Sequence, residues 1–462
     1  MLPAIAPKLR MVFYGDDFTG STDALEVLTA AGLRCALFLS PPSPQLLEEM
    51  GGFDVIGVAG DSRALSNAEM DEVLPAIFEA IKQLSPPLVH YKVCSTFDSA
   101  PSVGSIGHVI GLASRIFARK GIPIVAGNPA LGRYCVFGNL YALSKTDHTV
   151  HRIDRHPVMR AHPITPMHEA DLSLHIGQQK KLAIAKIDIL QLEQGDELTR
   201  LASEASIRHD AVLFDGTTDA HMTTAGRVLS ELANGTDPVF VVGSSGVEYG
   251  LTQYWQSAGM LNARQSQVTP LKAVEQVLVI SGSASPLSSA QIENAVSNGF
   301  IELPVDAAAL VVDTQRSAAL REIATAAISH LQAGYSVVIH TAKGSQDPRI
   351  EQMIEAMVAK GLKREEARIR GGKQLAVELG YLVQDILKAC PLKRLVVSGG
   401  DTSSQVTKIL DPDALVIKSL ISPGAPLCQV YSHAPHLAGL EIALKGGQMG
   451  DQDYFVKTLR GH

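Results

Sequence analysis

Two adjacent carboxylates open the stretch of this chain best equipped for chemistry. In YGDDFTGSTDALEVL, from Tyr14 to Leu28, Asp16 and Asp17 are followed by hydroxyls and small residues. The apolar run Met11–Tyr14 before them reads as a buried strand, and Ala24, Leu25, Val27, Leu28 and Ala31 after them have helical spacing. The pair therefore lies where a strand ends and a helix begins, the place where parallel α/β sheets bind ligands. A carboxylate there can take a proton from a reacting hydroxyl. Equally open is a local role, in which Asp16 and Asp17 make a turn and Ser21 or Thr22 caps the helix.

A second polar strand end follows the apolar segment Leu88–Tyr91: KVCSTFDSAPSVGSIGH, from Lys92 to His108, gathers Lys92, Ser95, Thr96, Asp98 and Ser99. Such a loop can hold a hydroxylated ligand, or its Ser, Thr and Asp residues can serve only as turn and cap groups. From His151 to Pro163, HRIDRHPVMRAHP sets Arg152, Arg155 and Arg160 against a single acid, Asp154. Arg suits bidentate contact with carboxylate or phosphate, and His162 lies in the same patch. The histidines show no HExxH or comparable spacing, so no metal site is expected.

Farther along, two Gly- and Ser-rich turns follow apolar runs: SGSASP after Val277–Ile280 and SGGDTSS after Leu395–Val397. Ser285 can cap a helix with Pro286 at its first position. Backbone N–H groups at a helix start, approached without hindrance through Gly399 and Gly400, suit a phosphate. A third cluster, KGGQMG from Lys445 to Gly450, follows Leu440–Leu444 and by itself reads as a tight surface turn.

The elements that position these groups alternate. Strands are expected at Met11–Tyr14, Cys35–Leu39, Val55–Ala59, Leu88–Val93, Ile122–Ala126, Ala211–Asp215 and Pro238–Val242. Ser66 and Glu69 form a capping box ahead of the helical stripe Met70, Val73, Leu74, Ile77 and Ile81. The apolar pattern weakens over NARQSQVTPLKAVEQ, then resumes with strands at Val277–Ile280, Val337–His340, Leu395–Ser398 and Leu427–Tyr431. This predicts two α/β domains with largely parallel sheets, residues 1–262 and 277–462 joined by a linker at 263–276, with the ligand site in the cleft between them.

Bulk composition narrows the classes. The 462 residues suit more than one core, and 46% hydrophobic, 19% charged and 39 Gly describe a globular chain. A formal net charge of −7 argues against a nucleic-acid partner but leaves room for small anions. Five scattered cysteines without a CxxC pair predict free thiols in a reducing compartment. Pro3, Pro7, Lys8 and Arg10 interrupt the first apolar residues, so neither a secretion signal nor a membrane span is expected, and the placement is cytoplasmic. There is no GxxxxGK[ST], no GxGxxG after a strand, no DxDxT and no GxSxG.

The order of motifs resembles the four-carbon acid sugar kinase family over almost the whole chain. DDFTGSTDALE resembles its DDFTGA-type signature, KVCSTFDS its K-x-CSTFDS segment, GNPALGRY its P-A-F-P…GR segment and MRAHPITPMHEADL its HPLTPM motif. SGSASP, SGGDTS and KGGQMG are similar to its GSCSP, GGETS and SGNFG turns. Tyr134, Ala284, Asp401, Gly446, Gln448 and Met449 depart from those patterns.

The resemblance implies an N-terminal sugar-acid domain and a C-terminal ATP domain. The γ-phosphoryl of ATP, with Mg²⁺, would pass to the terminal hydroxyl of threonate, erythronate, their 3-oxo derivatives or a branched analogue such as 3-oxo-isoapionate. It implies Asp17, with Asp16 as competitor, as general base, and Lys92, Ser95, Thr96, Asp98, Arg133, Arg160 and His162 on the substrate. It implies Ser281, Ser283, Ser285, Gly399, Gly400, Asp401, Thr402, Ser403, Gly446 and Gly447 on the nucleotide. A sugar-acid phosphatase or lyase, or a nucleotide sensor without activity, are the alternatives, and homo-oligomer formation stays open.

Overall fold

A computed structural model describes residues 8–144, 147–162, 164–195, 197–261 and 268–462. Contacts divide the chain into a first unit, Met1–Ser266, and a second, Gln267–His462. Residues 263–267 of the expected linker lie outside the described residues. Residues beyond them run along the second unit, with Thr269 N–H on the Lys418 carbonyl at 2.8 Å and Val274 N–H on that of Leu459 at 2.9 Å. Among the described residues no helix is long and apolar enough to cross a membrane.

In the first unit the strands are β1 (Met11–Gly15), β2 (Cys35–Phe38), β3 (Val55–Ala59), β4 (Leu88–Lys92), β5 (Ile122–Val125), β6 (Arg133–Val136), β7 (Asn139–Leu143), β8 (Val150–Arg152), β9 (Ile184–Ile187), β10 (Ala211–Phe214) and β11 (Val239–Gly243). Eight of them form a wholly parallel sheet in the order β2-β3-β1-β4-β11-β5-β10-β9. The central strands are apolar and buried throughout, as strands covered by helices on both faces must be. The chain leaves β1 toward β2 on one side and leaves the adjacent β4 toward β5 on the other, so the connections diverge there and leave a crevice at the C-terminal ends of the strands. The capping box at Ser66 and Glu69 is formed, and the helix Asn67–Gln83 buries Met70, Leu74, Phe78 and Ile81.

β6, β7 and β8 make a separate antiparallel meander that the sequence pattern did not announce. Its alternation is weak: Cys135, Leu140 and Ala142 point inward and polar residues flank them.

The second unit contains β12 (Leu278–Ser281), β13 (Ile301–Pro304), β14 (Val337–His340), β15 (Arg394–Ser398), β16 (Ala414–Ser422), β17 (Ala425–Tyr431) and β18 (Glu441–Lys445). Its order is β13-β14-β12-β15-β18-β17-β16, parallel through β18. β17 is antiparallel to both neighbours, because only the short turn at Ser422–Ala425 joins it to β16 and no crossover helix is available. Here the chain leaves β12 toward β13 and leaves the adjacent β15 toward β16, so the connections diverge again.

Helices Asp219–Leu232 and Gly246–Ser257 cover one face of the first sheet and meet backbone to backbone. A Cβ on Gly226 would lie 2.1 Å from the Gly250 carbonyl oxygen, and one on Gly250 would lie 2.4 Å from that of Met222. The sole tryptophan, Trp255, locks the pair through Nε1–H to Ser230 Oγ at 3.1 Å. Gly226→Ala should therefore cost about 1–3 kcal/mol through overpacking. A lower urea midpoint on Trp255 emission would show it; an unchanged midpoint would mean the helices can part freely.

Candidate functional site

Three loops of the first unit converge beyond β1, β3 and β4. Asp17 is the N-cap of the helix Phe18–Ala30, its Oδ1 accepting Gly20 N–H at 3.0 Å. Ser21 and Thr22 do not cap: their hydroxyls donate to the carbonyls of Asp17 and Thr19, at 2.7 and 2.9 Å. Asp16 is buried, and Arg63 from the loop after β3 grips it with Nε–H to Oδ2 at 3.0 Å and Nη2–H to Oδ1 at 2.7 Å. The same Nη2 donates to Asp17 Oδ1 at 2.8 Å. Burial pushes the Asp16 carboxyl up to about 6, against the pull of Arg63.

Arg63 went unnoticed in the sequence because no motif marks it. The polar run GDSRA directly after Val55–Ala59 is the signal that could have found it.

Lys92 ends β4 and is buried, with Nζ 3.7 Å from Asp23 Oδ2. Burial opposes its charge, yet Asp23, Asp17 and Asp16 outweigh that and hold it above the usual lysine range. Gly20 makes the approach possible: a Cβ there would stand 2.4 Å from Asp17 Oδ1 and 2.8 Å from Lys92 Nζ.

The loop after Lys92 turns through Phe97, a buried residue at φ +53°. A left-handed phenylalanine is a strained choice that surrounding structure must enforce. It turns Asp98 inward, where the carboxylate accepts Thr96 Oγ1–H at 2.5 Å and Thr165 Oγ1–H at 3.0 Å. Burial raises this acid, but Arg63 and the two hydroxyls together bring it below the ordinary aspartate range. Thr165 also donates its N–H to His162 Nδ1 at 3.1 Å, so His162 joins the cluster through it. Ser95 is half-buried in the same turn.

Arg133 begins β6, and its Nη1 donates to the carbonyls of Leu131 at 2.9 Å and Leu143 at 3.3 Å. Its Nε is buried and lacks a partner among the described residues. Burial lowers its affinity for the proton; the Cys94 and Tyr134 side chains are the groups that counter this, and neither is a carboxylate. Arg160 stands apart from the cluster, exposed in the short turn Met159–Ala161.

In the second unit the three Gly-rich turns meet at the C-terminal ends of β12, β15 and β18. A Cβ on Gly282 would fall 2.1 Å from Thr402 Oγ1, one on Gly447 would fall 2.3 Å from Ser283 Oγ, and Gly399 sits at φ +122° with its Cβ site 3.4 Å from Ser283 N. Ser285 caps the helix Pro286–Ser297, accepting Ser288 N–H at 3.0 Å, and donates to the Gly447 carbonyl at 2.5 Å. KGGQMG is thus no free surface turn, since Gln291 Nε2 also holds the carbonyls of Met449 and Asp451 at 3.2 and 2.8 Å. Ser403 is buried, bonded to the Val397 carbonyl at 3.3 Å, while Asp401 is exposed and Gly446 half-buried. Gly400 and Asp401 open the helix Gly400–Leu410, whose first turn leaves unpaired N–H groups.

A cavity of about 700 Å³ lined by Lys393, Lys418 and Arg394 lies at the opposite ends of β15 and β18. Two of its cations are engaged internally, Arg394 and Lys418 both donating to Glu441, at 2.8 Å from Arg394 Nε and 2.6 Å from Lys418 Nζ.

Residues 11–251 match the model of a sugar-binding N-terminal domain, and residues 278–455 that of a nucleotide-binding C-terminal domain. The chain is 39% identical over 98% of its length to a 3-oxo-isoapionate kinase of Paraburkholderia graminis, covering 94% of that protein. It is 27% identical to a 3-oxo-tetronate kinase of Pseudomonas fluorescens, over 98% of this chain and 97% of that one. In fold it resembles solved structures from Salmonella typhimurium, at TM-score 0.76 with 24% identity and coverage of 98% and 99%, and from Haemophilus influenzae, at 0.71 with 19% identity and coverage of 97% and 98%. The chain belongs to the four-carbon acid sugar kinase family, its two units being the sugar-binding and nucleotide-binding domains of that family.

Proposed function

We propose that this kinase transfers the γ-phosphoryl of ATP to a hydroxyl of a branched 3-oxo sugar acid of the 3-oxo-isoapionate type. The observation that carries this reading is the step in identity, from 39% with the 3-oxo-isoapionate kinase to 25–27% with the 3-oxo-tetronate kinases. In the reaction the acceptor oxygen bonds to the γ-phosphorus, the bond from that phosphorus to the β–γ bridging oxygen breaks, and ADP leaves.

Asp17 is assigned as the base that takes the hydroxyl proton. Asp16 competes poorly for that role, both its oxygens being held by Arg63, whereas both recorded bonds of Asp17 fall on Oδ1. Arg133 is assigned to the substrate carboxylate, supported by its buried, unpartnered Nε. Lys92, Ser95, Thr96, Asp98 and His162 orient the hydroxyls and the oxo group, with Arg160 reaching in from solvent.

The polyphosphate fits the second unit because Gly282 and Gly447 keep their backbone open where a Cβ would collide and Gly399 holds a φ of +122° that side chains rarely adopt. Ser281, Ser283, Ser285, Gly400, Asp401, Thr402, Ser403 and Gly446 complete that cradle. Mg²⁺ would accompany the nucleotide and would supply neutralisation of phosphate charge, with no side chain of this chain assigned to hold it.

ADP release with a panel of four-carbon and branched sugar acids tests the reading. The branched 3-oxo acid should exceed 3-oxo-tetronate by about tenfold or more in kcat/KM, the scale of one added carbon group in a fitted pocket. Equal rates would return the substrate to the linear acids; phosphate release or bond cleavage without ATP would identify a phosphatase or lyase, and nucleotide binding without turnover a sensor. Asp17→Asn should lower kcat by about 10²–10⁴ and leave nucleotide affinity intact. Full activity in that variant would remove Asp17 from the chemistry. Arg133→Ala should raise KM for the sugar acid by about 1.5–3 kcal/mol, the worth of a charged hydrogen bond, while KM for ATP stays put.

A further inference from the structure

The two units each end a strand on a buried lysine, and the two lysines differ in company. Lys92 has three aspartates around it. Lys445, at the end of β18, is 1% exposed, and among the described residues its one hydrogen-bond partner is Ser398 Oγ, at 2.8 Å. The rings of Tyr454 and Phe455 face its Nζ at 6.0 and 5.8 Å.

Every element packed against it is uncharged at that point. β15 presents Ser398, and β17 presents apolar Leu427 beside Ala443. The helix Tyr454–Arg460 presents the two rings, with the Tyr454 hydroxyl on the Ala425 carbonyl at 2.9 Å. The helix Gly400–Leu410 presents Ser403, on the Lys445 carbonyl at 3.4 Å, while its Asp401 is exposed. Asp451 and Asp453 are paired with Lys457, at 2.9 and 3.1 Å. Burial brings the Lys445 amine down to about 7.

The surroundings also connect this amine to the phosphate turns. Registry places His340, Ser281, Ser398 and Lys445 side by side as the last residues of β14, β12, β15 and β18. Ser281 Oγ is buried and has no partner among the described residues. From Ser398 Oγ a bond of 3.2 Å reaches Ser288 Oγ, which donates to the Gly447 carbonyl at 3.1 Å. Two hydroxyls, those of Ser398 and Ser288, therefore link the amine to the Gly447 carbonyl of the KGGQMG turn.

We propose that Lys445 is a latent cation of the nucleotide site, neutral in much of the free protein and charged when the polyphosphate binds, so that nucleotide binding takes up a proton. This rests on the assignment of the second unit as the ATP site. A buried amine with no acid nearby has only a hydroxyl and two ring faces to support its charge until an anion arrives, and then the low dielectric that suppressed the charge strengthens the attraction. The sign follows from linkage: a proton is consumed on binding, so affinity weakens as pH rises above the amine's free-state value.

Calorimetric titration with MgATP, without sugar acid and in two buffers of different ionisation heat, measures the proton count. Uptake should grow from roughly 0.1 proton at about pH 6 to roughly 0.9 at about pH 8, given a free-state value of about 7 and a much higher bound one. Lys445→Met, which matches the apolar packing in shape, should erase that pH-dependent uptake and weaken binding about tenfold or more. MgATP binding without proton uptake at about pH 8 would overturn the inference while leaving the ATP site in place. Uptake that persists in a folded Lys445→Met protein would place the proton elsewhere and overturn it too. Absence of MgATP binding at either pH would bring down both the inference and the ATP assignment.

Discussion

Arg63 is the group on which the acidic loop depends. Asp16 and Asp17 are adjacent, Asp23 lies nearly two helical turns on, and Asp16 is buried, so without a cation the cluster would protonate or open. One guanidinium binds both oxygens of Asp16 and one of Asp17, and its field extends to Asp98. Because Arg63 follows β3, Asp16 and Asp17 follow β1 and Asp98 follows β4, a single side chain ties together the three loops that flank the crevice. A planar fork does this where a lysine could not, since bidentate geometry sets the orientation of Asp16 as well as its charge. The cost is that Asp16 is committed, which leaves Asp17 as the carboxylate with freedom to act.

Both units solve the placement of a polar site in the same topological way. Each puts the loop after its first strand at the point where neighbouring connections diverge, and each walls it with loops from the adjoining strands. They differ in what fills the crevice. The first unit uses charged side chains in near balance, suited to hydroxyls and a carboxylate. The second uses glycines and serines, which present backbone donors and can meet a polyphosphate without steric cost. Lys92 and Lys445 express that contrast: one amine is held charged by its neighbours, the other is starved of them.

Much of this was readable from the chain because parallel strands are local apolar runs. β3 and β14 fall on their expected residues, and the other expected strands differ by one or two residues at an end. The Ser66 and Ser285 caps needed only residues within one turn. What escaped depends on long-range partners. Arg63 looks like any loop arginine until β3 sets it beside β1. KGGQMG looks like a surface turn until Ser285 and Gln291 bind its carbonyls from a helix some 160 positions earlier. β6 to β8 escaped because a half-exposed meander carries little apolar periodicity, and β17 because an apolar run does not state its direction.

The charge count around the first crevice bears on which cation a sugar acid would meet. Asp16, Asp17, Asp23 and Asp98 already engage Arg63 and Lys92, so an incoming carboxylate would find those two cations spoken for. Arg133 is different: among the described residues it is bound only through carbonyl oxygens and its buried Nε has no partner, and burial weakens rather than strengthens its hold on the proton. A desolvated guanidinium without a counter-charge is costly to maintain, and its cost falls when a carboxylate docks. Arg160 carries no such debt, since water already solvates it. Among the basic residues that the sequence offered for the substrate, the one with most to gain from an acid is therefore Arg133, and its neighbour Tyr134 is where the family pattern changes. The proposed carboxylate anchor, Arg133, and the departure from the family pattern, Tyr134, thus sit side by side on β6.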